Sequence, residues 1–484
     1  MKTKLLLFWS VMALGILTAC SDNDSFTTST SNVLSFSTDT VKMDTVFSNV
    51  PTATRSFWVY NHSGEGLRCS SVRLEQGATT GFRVNVDGIY LSEAQNYATS
   101  AIEVRDKDSV RVFVELTSPV NHAEGPQLLE DHLVFTLESG VQQRIPLRAY
   151  TWDATLLRDV QIKTDSTLLT GARPYIIYGG ITVAEGATLT LAAGSTLYFH
   201  NDAGIAVHGR LLSQGTAEAP VTLRGDRIDK MFDYLPYDYV PGQWQGIHLL
   251  GTSYGNILRF TDIHSTYHGV VADSSDVSRV KLTLEYATIH NCQGYGLHAV
   301  NSQLVIRNTQ VTNTLNDCVR IDGGDVTADN CTWAQFYPFD ANRGAALRFT
   351  ALHPLLNLTV RNSLLTGYAD DIMMGEWGID STRRFSYAFD YCIIRTPKVT
   401  TADSTRFTQV TYEDVKDTVK YGEKHFVRID TDNLRYDFRL KETSAAIGKA
   451  DPLTALPDDR DGKPRDEAPD LGAYEYRKSG TLNQ

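Results

Sequence analysis

Between residues 33 and 150, apolar side chains recur at every second position. SVRVFVEL (109–116) puts Val110, Val112, Val114 and Leu116 on one face. DHLVFTL (131–137) does the same with Leu133, Phe135 and Leu137, and RIPLRAY (144–150) with Ile145, Leu147 and Ala149. Side chains of a strand point alternately to opposite faces, so this period predicts half-buried antiparallel strands. The stretches NHSGEG, EQGATTG and VDG punctuate them as turns. About seven strands in some 120 residues fit a β-sandwich of immunoglobulin-like type.

From about residue 176 the pattern changes. ITVAEGATLTLAAGSTLYF (181–199) has short apolar strands broken by glycine turns, and a longer repeat follows. Similar lines begin at Gly246 (GIHLL), Gly269 (GVVAD), Gly296 (GLHAV), Cys318 (CVRID), Ala346 (ALRFT) and Asp371 (DIMMG), with gaps of 23, 27, 22, 28 and 25 residues. Each is followed by a second short strand: LRFTDI, LTLEYATI, LVIRNTQV, VTADNCTW, LTVRNSLL and a looser FDYCII. Two or three short strands per repeat make one coil of a β-helix, which must stack on the next coil to bury its interior. The pairs Ile247/Leu249, Val270/Ala272, Leu297/Ala299, Val319/Ile321, Leu347/Phe349 and Ile372/Met374 are expected to form the inner columns. The longer runs of 3.6-residue periodicity that a helical solenoid needs do not occur.

Composition sharpens this all-β reading. A chain of 484 residues exceeds one ordinary core. Its net charge of −12 argues against nucleic acid as a partner, because that binding needs a concentrated basic footprint. Lys2, Lys4 and the apolar run LLLFWSVMALGIL form a signal peptide, residues 1–19, too short for an ordinary membrane span. The sequence Leu17-Thr18-Ala19-Cys20 resembles a bacterial lipobox, which implies acylation of Cys20 and a lipid anchor in the outer membrane. Residues 20–32 form a polar tether, whose Asp22 and Asp24 resemble the export signal of surface lipoproteins in the Bacteroidota. Five other cysteines remain, with no C-x-x-C pair, so buried thiols are favoured over a metal site.

Candidate chemistry comes from three places. Asn308, Asn330 and Asn362 recur at one point of the repeat, with Asp390 in a looser fourth. Amides aligned at a coil corner can bond up and down the stack, so a structural ladder is favoured over a ligand row. On the outward face of the first strand, His248, Val271, His298, Arg320, Arg348 and Met373 fall in one column, with Asp322 beside it. Such a stripe could grip a carboxylated sugar through its arginines. The insertion GDRIDKMFDYLPYDYVPGQWQG (225–246) offers Tyr234, Tyr237 and Tyr239 as stacking platforms for sugar rings, and Trp244 as a packed residue.

The coils resemble right-handed parallel β-helix proteins of the pectin-lyase-like class. DFRLKETSAAIGKADP and DDRDGKPRDEAPDLGAYEY (458–476) resemble the terminal segment of choice-of-anchor Q surface proteins, matching at Ser444, Ala446, Ile447, Ala450, Asp459, Gly462, Pro464, Arg465, Asp470, Gly472, Ala473 and Glu475. The FSTDTVKMDTVFS and FRVNVDG segments resemble the N-terminal domain of Bacteroidota surface lipoproteins. The fold this implies hosts enzymes, binders and adhesins alike. The polygalacturonase signature is missing: His208-Gly209 and His268-Gly269 precede Asp370-Asp371, neither follows a glycine, and no R-I-K exists. Lys281 is the lone lysine between Gly246 and Ile394. The loop DDRDGKPRDEAPD lacks calcium-loop spacing, so calcium has weak support and no cofactor is expected.

The expected organisation is therefore a signal peptide (1–19), a lipidated tether (20–32), a β-sandwich (33–151), a right-handed parallel β-helix (152–450), a closing segment (451–476) and a tail (477–484). The expected role is non-catalytic binding of a glycan or another surface component. The alternatives are a polysaccharide lyase or glycoside hydrolase, and a structural subunit of an outer-membrane complex.

Overall fold

The computed structural model describes residues 25–478, apart from 101, 170–172, 233, 379 and 418–420. Cys20 and the expected signal peptide (1–19) lie outside the described residues. The chain divides into two compact units, with the boundary between Asp153 and Ala154. Every regular element longer than a 3-10 turn among the described residues is a strand.

The first unit holds two sheets. One orders Leu34–Phe36, Arg55–Asn61, Ser109–Leu116, Phe82–Val86 and Ile89–Tyr90; the other orders Val41–Phe47, Gln142–Trp152, Gln127–Leu137, Leu67–Leu74 and Ala98–Thr99. The alternating residues Val110, Val112, Val114, Leu116, Leu133, Phe135, Leu137, Ile145, Leu147 and Ala149 all lie in its core. One pairing departs from the antiparallel expectation: Val41–Phe47 runs parallel to Gln142–Trp152. Alternation along a strand fixes which face is buried, but not the direction of the partner.

In the second unit the coil strands from Thr155–Ile162 to Thr411–Tyr412 pair in parallel with the equivalent strand of the next coil. This is a parallel β-helix. One inner column runs Ile162, Val183, Val207, Leu249, Ala272, Ala299, Ile321, Phe349, each in register with the next. All eight side chains are buried in one core. Trp244 is wholly buried and stacks on Phe199 at 4.2 Å between ring centres. The sixth line corrects the expected register by one residue. Met373 pairs with Leu347 and faces inward, while Met374 pairs with Arg348 and is exposed. Gly375 then lies under Phe349, where a Cβ would meet the ring at 2.6 Å, so the large ring selects a glycine in the layer below.

A corner of the coil is turned by a residue in the left-handed region. Phe260, Tyr286, Asn308, Asn330, Asn362, Tyr391 and Gln409 occupy it in successive coils, with φ between 43° and 54°. This conformation costs an ordinary residue about 1–2 kcal/mol; apart from glycine, Asn tolerates it best. The ladder reading of Asn308, Asn330 and Asn362 is corrected here. Their backbone N–H groups bond the next coil, but their amides bond the C-terminal segment. Asn308 Nδ2 donates to the Asp458 carbonyl (2.8 Å), and Arg465 Nη2 donates to Asn308 Oδ1 (3.0 Å). Asn330 Oδ1 accepts from Leu456 N (3.0 Å), and Asn362 Oδ1 from Asp451 N (2.9 Å). The fourth member is Tyr391, because Asp390 is in register with Arg361.

The last parallel strand is Thr411–Tyr412, after which Phe426–Asp430 and Arg435–Leu440 form an antiparallel hairpin. The segment expected to close the helix runs back along its flank as a strap, from Asn362 past Asn330 and Asn308 to Thr288, which accepts from Arg460. Its carboxylates are used internally. Arg465 pairs with Glu475 at 3.0 Å, both almost fully buried, and Asp459 accepts the N–H groups of Asp461, Lys463 and Glu475. All five described cysteines are free and buried, and burial pushes the thiols of Cys69, Cys292, Cys318 and Cys392 up to about 12.

Candidate functional site

The outward column exists as a stack. His248, Val271, His298, Arg320 and Arg348 are in register in successive coils. Its charges, however, are already matched. Asp322 accepts from His298 Nε2 (2.8 Å), Arg320 Nε (2.9 Å) and Thr350 Oγ1 (2.8 Å). Arg348 spans Asp317 (3.0 Å) and Glu376 (2.5 Å), and His248 pairs with Asp273 (2.8 Å). Burial opposes the Asp322 charge, but hydrogen bonds from His298, Arg320 and Thr350 outweigh it and hold the carboxyl at about 2. Burial likewise opposes the charges of Arg320 and Arg348, yet Asp322 and Asp317 raise both above the ordinary guanidinium value. The arginines expected to grip a carboxylate are each paired with a local acid.

An aromatic and imidazole group adjoins this column. His268 contacts Tyr267 edge-on (4.7 Å) and stacks on Tyr295 (5.5 Å), which lies 4.8 Å from His298. Arg320 sits over the Tyr295 ring at 5.7 Å. Burial, together with His298 and His248, lowers the His268 pKa, and the backbone N–H of Tyr295 donates to its Nδ1 (3.0 Å). An open cleft of about 420 Å³ runs along these coils, lined by His248, His268, Val271 and His298 over the glycine-rich edge Gly179–Gly180, Gly204 and Gly246. Tyr267 is exposed.

The insertion supplies less platform than expected. Tyr234 is exposed and stacks on Phe232 (5.7 Å). Tyr237 is half-buried under the Arg227 guanidinium (3.7 Å), and Tyr239 faces a different cleft. Asp370 and Asp371 are both exposed; Asp370 lies 3.6 Å from Arg395, and Asp371 accepts from Thr396 Oγ1 (2.6 Å). Lys281 is buried and its Nζ donates to the Leu250 carbonyl (2.5 Å); burial lowers its pKa to about 8.

A second cluster has no counterpart in the sequence reading, which placed no metal ligand. Asp262 and His264 share one strand, and His290 stands directly above His264 in the next coil, with the rings stacked at 4.8 Å. His264 Nδ1 lies 2.5 Å from Asp262 Oδ1, and His290 Nε2 lies 3.4 Å from that same oxygen. His264 Nε2 meets Asp238 Oδ1 at 2.8 Å, and Asp238 is held by Arg224 at 2.9 Å. Burial opposes the His264 charge, but Asp262 and Asp238 outweigh it and raise the imidazole to about 9. A cleft of about 600 Å³ opens beside it, lined by His290, Tyr239, Gln310, Thr312, Tyr436 and Arg439 among others. The signal was present: the second repeat lines LRFTDI and LTLEYATI each end one residue before His264 and His290.

No protein-family model matches the chain, and no curated protein matches it. Among solved structures, the catalytic unit of the GH87 α-1,3-glucanase of Streptomyces thermodiastaticus strain HF3-3 is similar at 11% identity and a TM-score of 0.27, over 74% of this chain and 89% of that one. Pectate lyase Pel9A is similar at 12% identity and a TM-score of 0.22, over 67% and 98%. The Vibrio cholerae VesB protease is similar at 14% identity and a TM-score of 0.17, over 25% and 32%, so the chain spans about a third of that protein. At these scores the likenesses carry no weight for activity or ligand, and the fold rests on the strand register.

Proposed function

We propose that the protein is a lipid-anchored outer-membrane protein, displayed on the surface of a Bacteroidota-like bacterium, whose β-helix binds a glycan or another surface component without chemical turnover. The observation that carries this reading is the open cleft over His248, His268 and His298, with Tyr267 and Tyr295 beside it. Flat rings and paired polar groups suit sugar faces and hydroxyls. Because Arg320 and Arg348 are paired with acids, the favoured glycan is neutral rather than carboxylated. The lipobox-like Leu17–Cys20 and the choice-of-anchor Q-like C-terminal residues support the location.

An array of neutral and acidic glycans tests this. Neutral hits are expected, weakened at least about tenfold in a Tyr267→Ala, His298→Ala double variant. Silence across the array, or unchanged binding by the double variant, rejects the cleft. The lyase or hydrolase alternative takes the stripe of His298, Arg320 and Arg348 as its site; Asp322 and Asp317 raise both guanidinium values, which disfavours either arginine as its base. Release of unsaturated products or new reducing ends would reinstate it. The anchor is tested separately: Cys20→Ser is expected to leave the protein soluble, and continued membrane fractionation contradicts lipidation. A membrane partner lost on deleting 33–150 would favour the structural-subunit alternative.

A further inference from the structure

The geometry points to a divalent metal site of the zinc class at Asp262, His264 and His290, with an open coordination position towards the cleft beside it. This is independent of glycan binding on the other face. Three donors converge there: Asp262 Oδ1 lies 2.5 Å from His264 Nδ1 and 3.4 Å from His290 Nε2, and the three residues each bring one ligand atom within 4.8 Å of the others. Donors about 2.1 Å from a tetrahedral ion lie roughly 3.4 Å apart. The Asp262–His290 separation of 3.4 Å is already of that size. The Asp262–His264 contact of 2.5 Å has to open by about 1 Å as an ion replaces the shared proton.

What sets this cluster apart from an ordinary ion pair is the support behind it. The Nε2 of His264 faces Asp238 at 2.8 Å. A carboxylate there accepts the Nε2 N–H and fixes the ring orientation, so that Nδ1 is the atom that meets the ion once the proton it shares with Asp262 is displaced. Asp238 is itself fixed, by Arg224 at 2.9 Å and by Ser265 Oγ donating to its carbonyl at 2.7 Å. The indole N–H of buried Trp244 donates to the His264 carbonyl at 2.9 Å, so the strand that carries the ligand is braced from inside. The 225–246 insertion thereby delivers a carboxylate to a histidine on the coil wall. Two imidazoles with one carboxylate select a zinc-like ion over calcium, which prefers an all-oxygen shell. Three protein ligands beside a cleft leave a fourth position for water or a ligand oxygen.

The test uses the full chain, dialysed against EDTA and titrated with Zn²⁺ alone by calorimetry, with Ca²⁺ as the comparison ion. One Zn²⁺ per chain is expected, bound at least about a hundredfold more tightly than Ca²⁺. His290→Ala should lower Zn²⁺ affinity by about a hundredfold or more, and Asp238→Asn by about 10–100-fold. His290 is partly exposed, so its removal is expected to leave the fold intact; the melting temperature of the metal-free variant checks this. Zn²⁺ should raise the melting temperature of the wild type and not of His290→Ala. His290→Cys, which restores a donor, should recover binding. Absence of Zn²⁺ binding, equal affinity for Ca²⁺, or unchanged Zn²⁺ binding in His290→Ala would each overturn the site.

Discussion

Asn308, Asn330 and Asn362 stand in the same three coils as His298, Arg320 and Arg348, and both columns obey the same stacking of about 4.8 Å. Their partners differ. The asparagine flank is covered: each side chain bonds a segment more than eighty residues later in the chain. The histidine–arginine flank is open, and its polar groups bond residues of their own and adjoining coils. Repetition of a polar residue along a β-helix therefore marks a column without saying what the column faces. The deciding information is carried by residues outside the repeat: Asp317 and Glu376 for one flank, Arg465 and Leu456 for the other.

The contrast can be broken first at Arg465. Arg465→Ala leaves Glu475 buried without its partner and unties the strap from Asn308, so a loss of about 3–5 kcal/mol is expected in denaturant unfolding. A loss below about 1 kcal/mol would mean that the covered flank gains little from its cover.

The open flank is probed by pH. The Asp322 carboxyl, held at about 2, binds protons less readily when folded than when unfolded. Its contribution is thus present in full above the ordinary carboxylate range and is lost as pH falls towards 2, by about 2 kcal/mol. Asp322→Asn should remove that acid-limb slope; an unchanged slope would show that the flank's ion pairs do not act as a unit.

The corner is separated from the strap by two substitutions at Asn330. Asn330→Gly keeps the left-handed backbone and loses the strap bonds, at a cost of about 1 kcal/mol. Asn330→Ala should cost about 1 kcal/mol more, because it also forces a Cβ into the left-handed region. Equal costs would assign the column wholly to its side-chain bonds. The smallest expected effect is at exposed Tyr267, where Ala should change stability by less than about 0.5 kcal/mol while weakening glycan binding.

Much of the scaffold was legible because it follows from short-range rules. Val270/Ala272 and Leu297/Ala299 are inner pairs by period two, and the recurring lines set their register. The slip at Met373 was not legible, because it depends on the size of Phe349 one layer away. The site was harder still. The outward stripe could be placed, but the neutralisation of its arginines needs acids from turns and from the next coil. Asp238 reaches His264 from an insertion 26 residues away, and Arg465 reaches Asn308 across 157. Contacts of that span leave no periodic trace.

The strap changes how the solenoid assembles. A stack of coils that touches only its neighbours can grow and fray one turn at a time. Here a later-made part of the chain crosses coils laid down 89 to 172 residues earlier, from Asn362 back to Thr288. Fraying of those turns is then coupled: one coil cannot loosen without releasing the tether that also clasps the others. The coils can stack during synthesis, but they lock only once residues 451–476 have arrived. Truncation before Asp451 should therefore turn a single sharp unfolding transition into a broad, graded one.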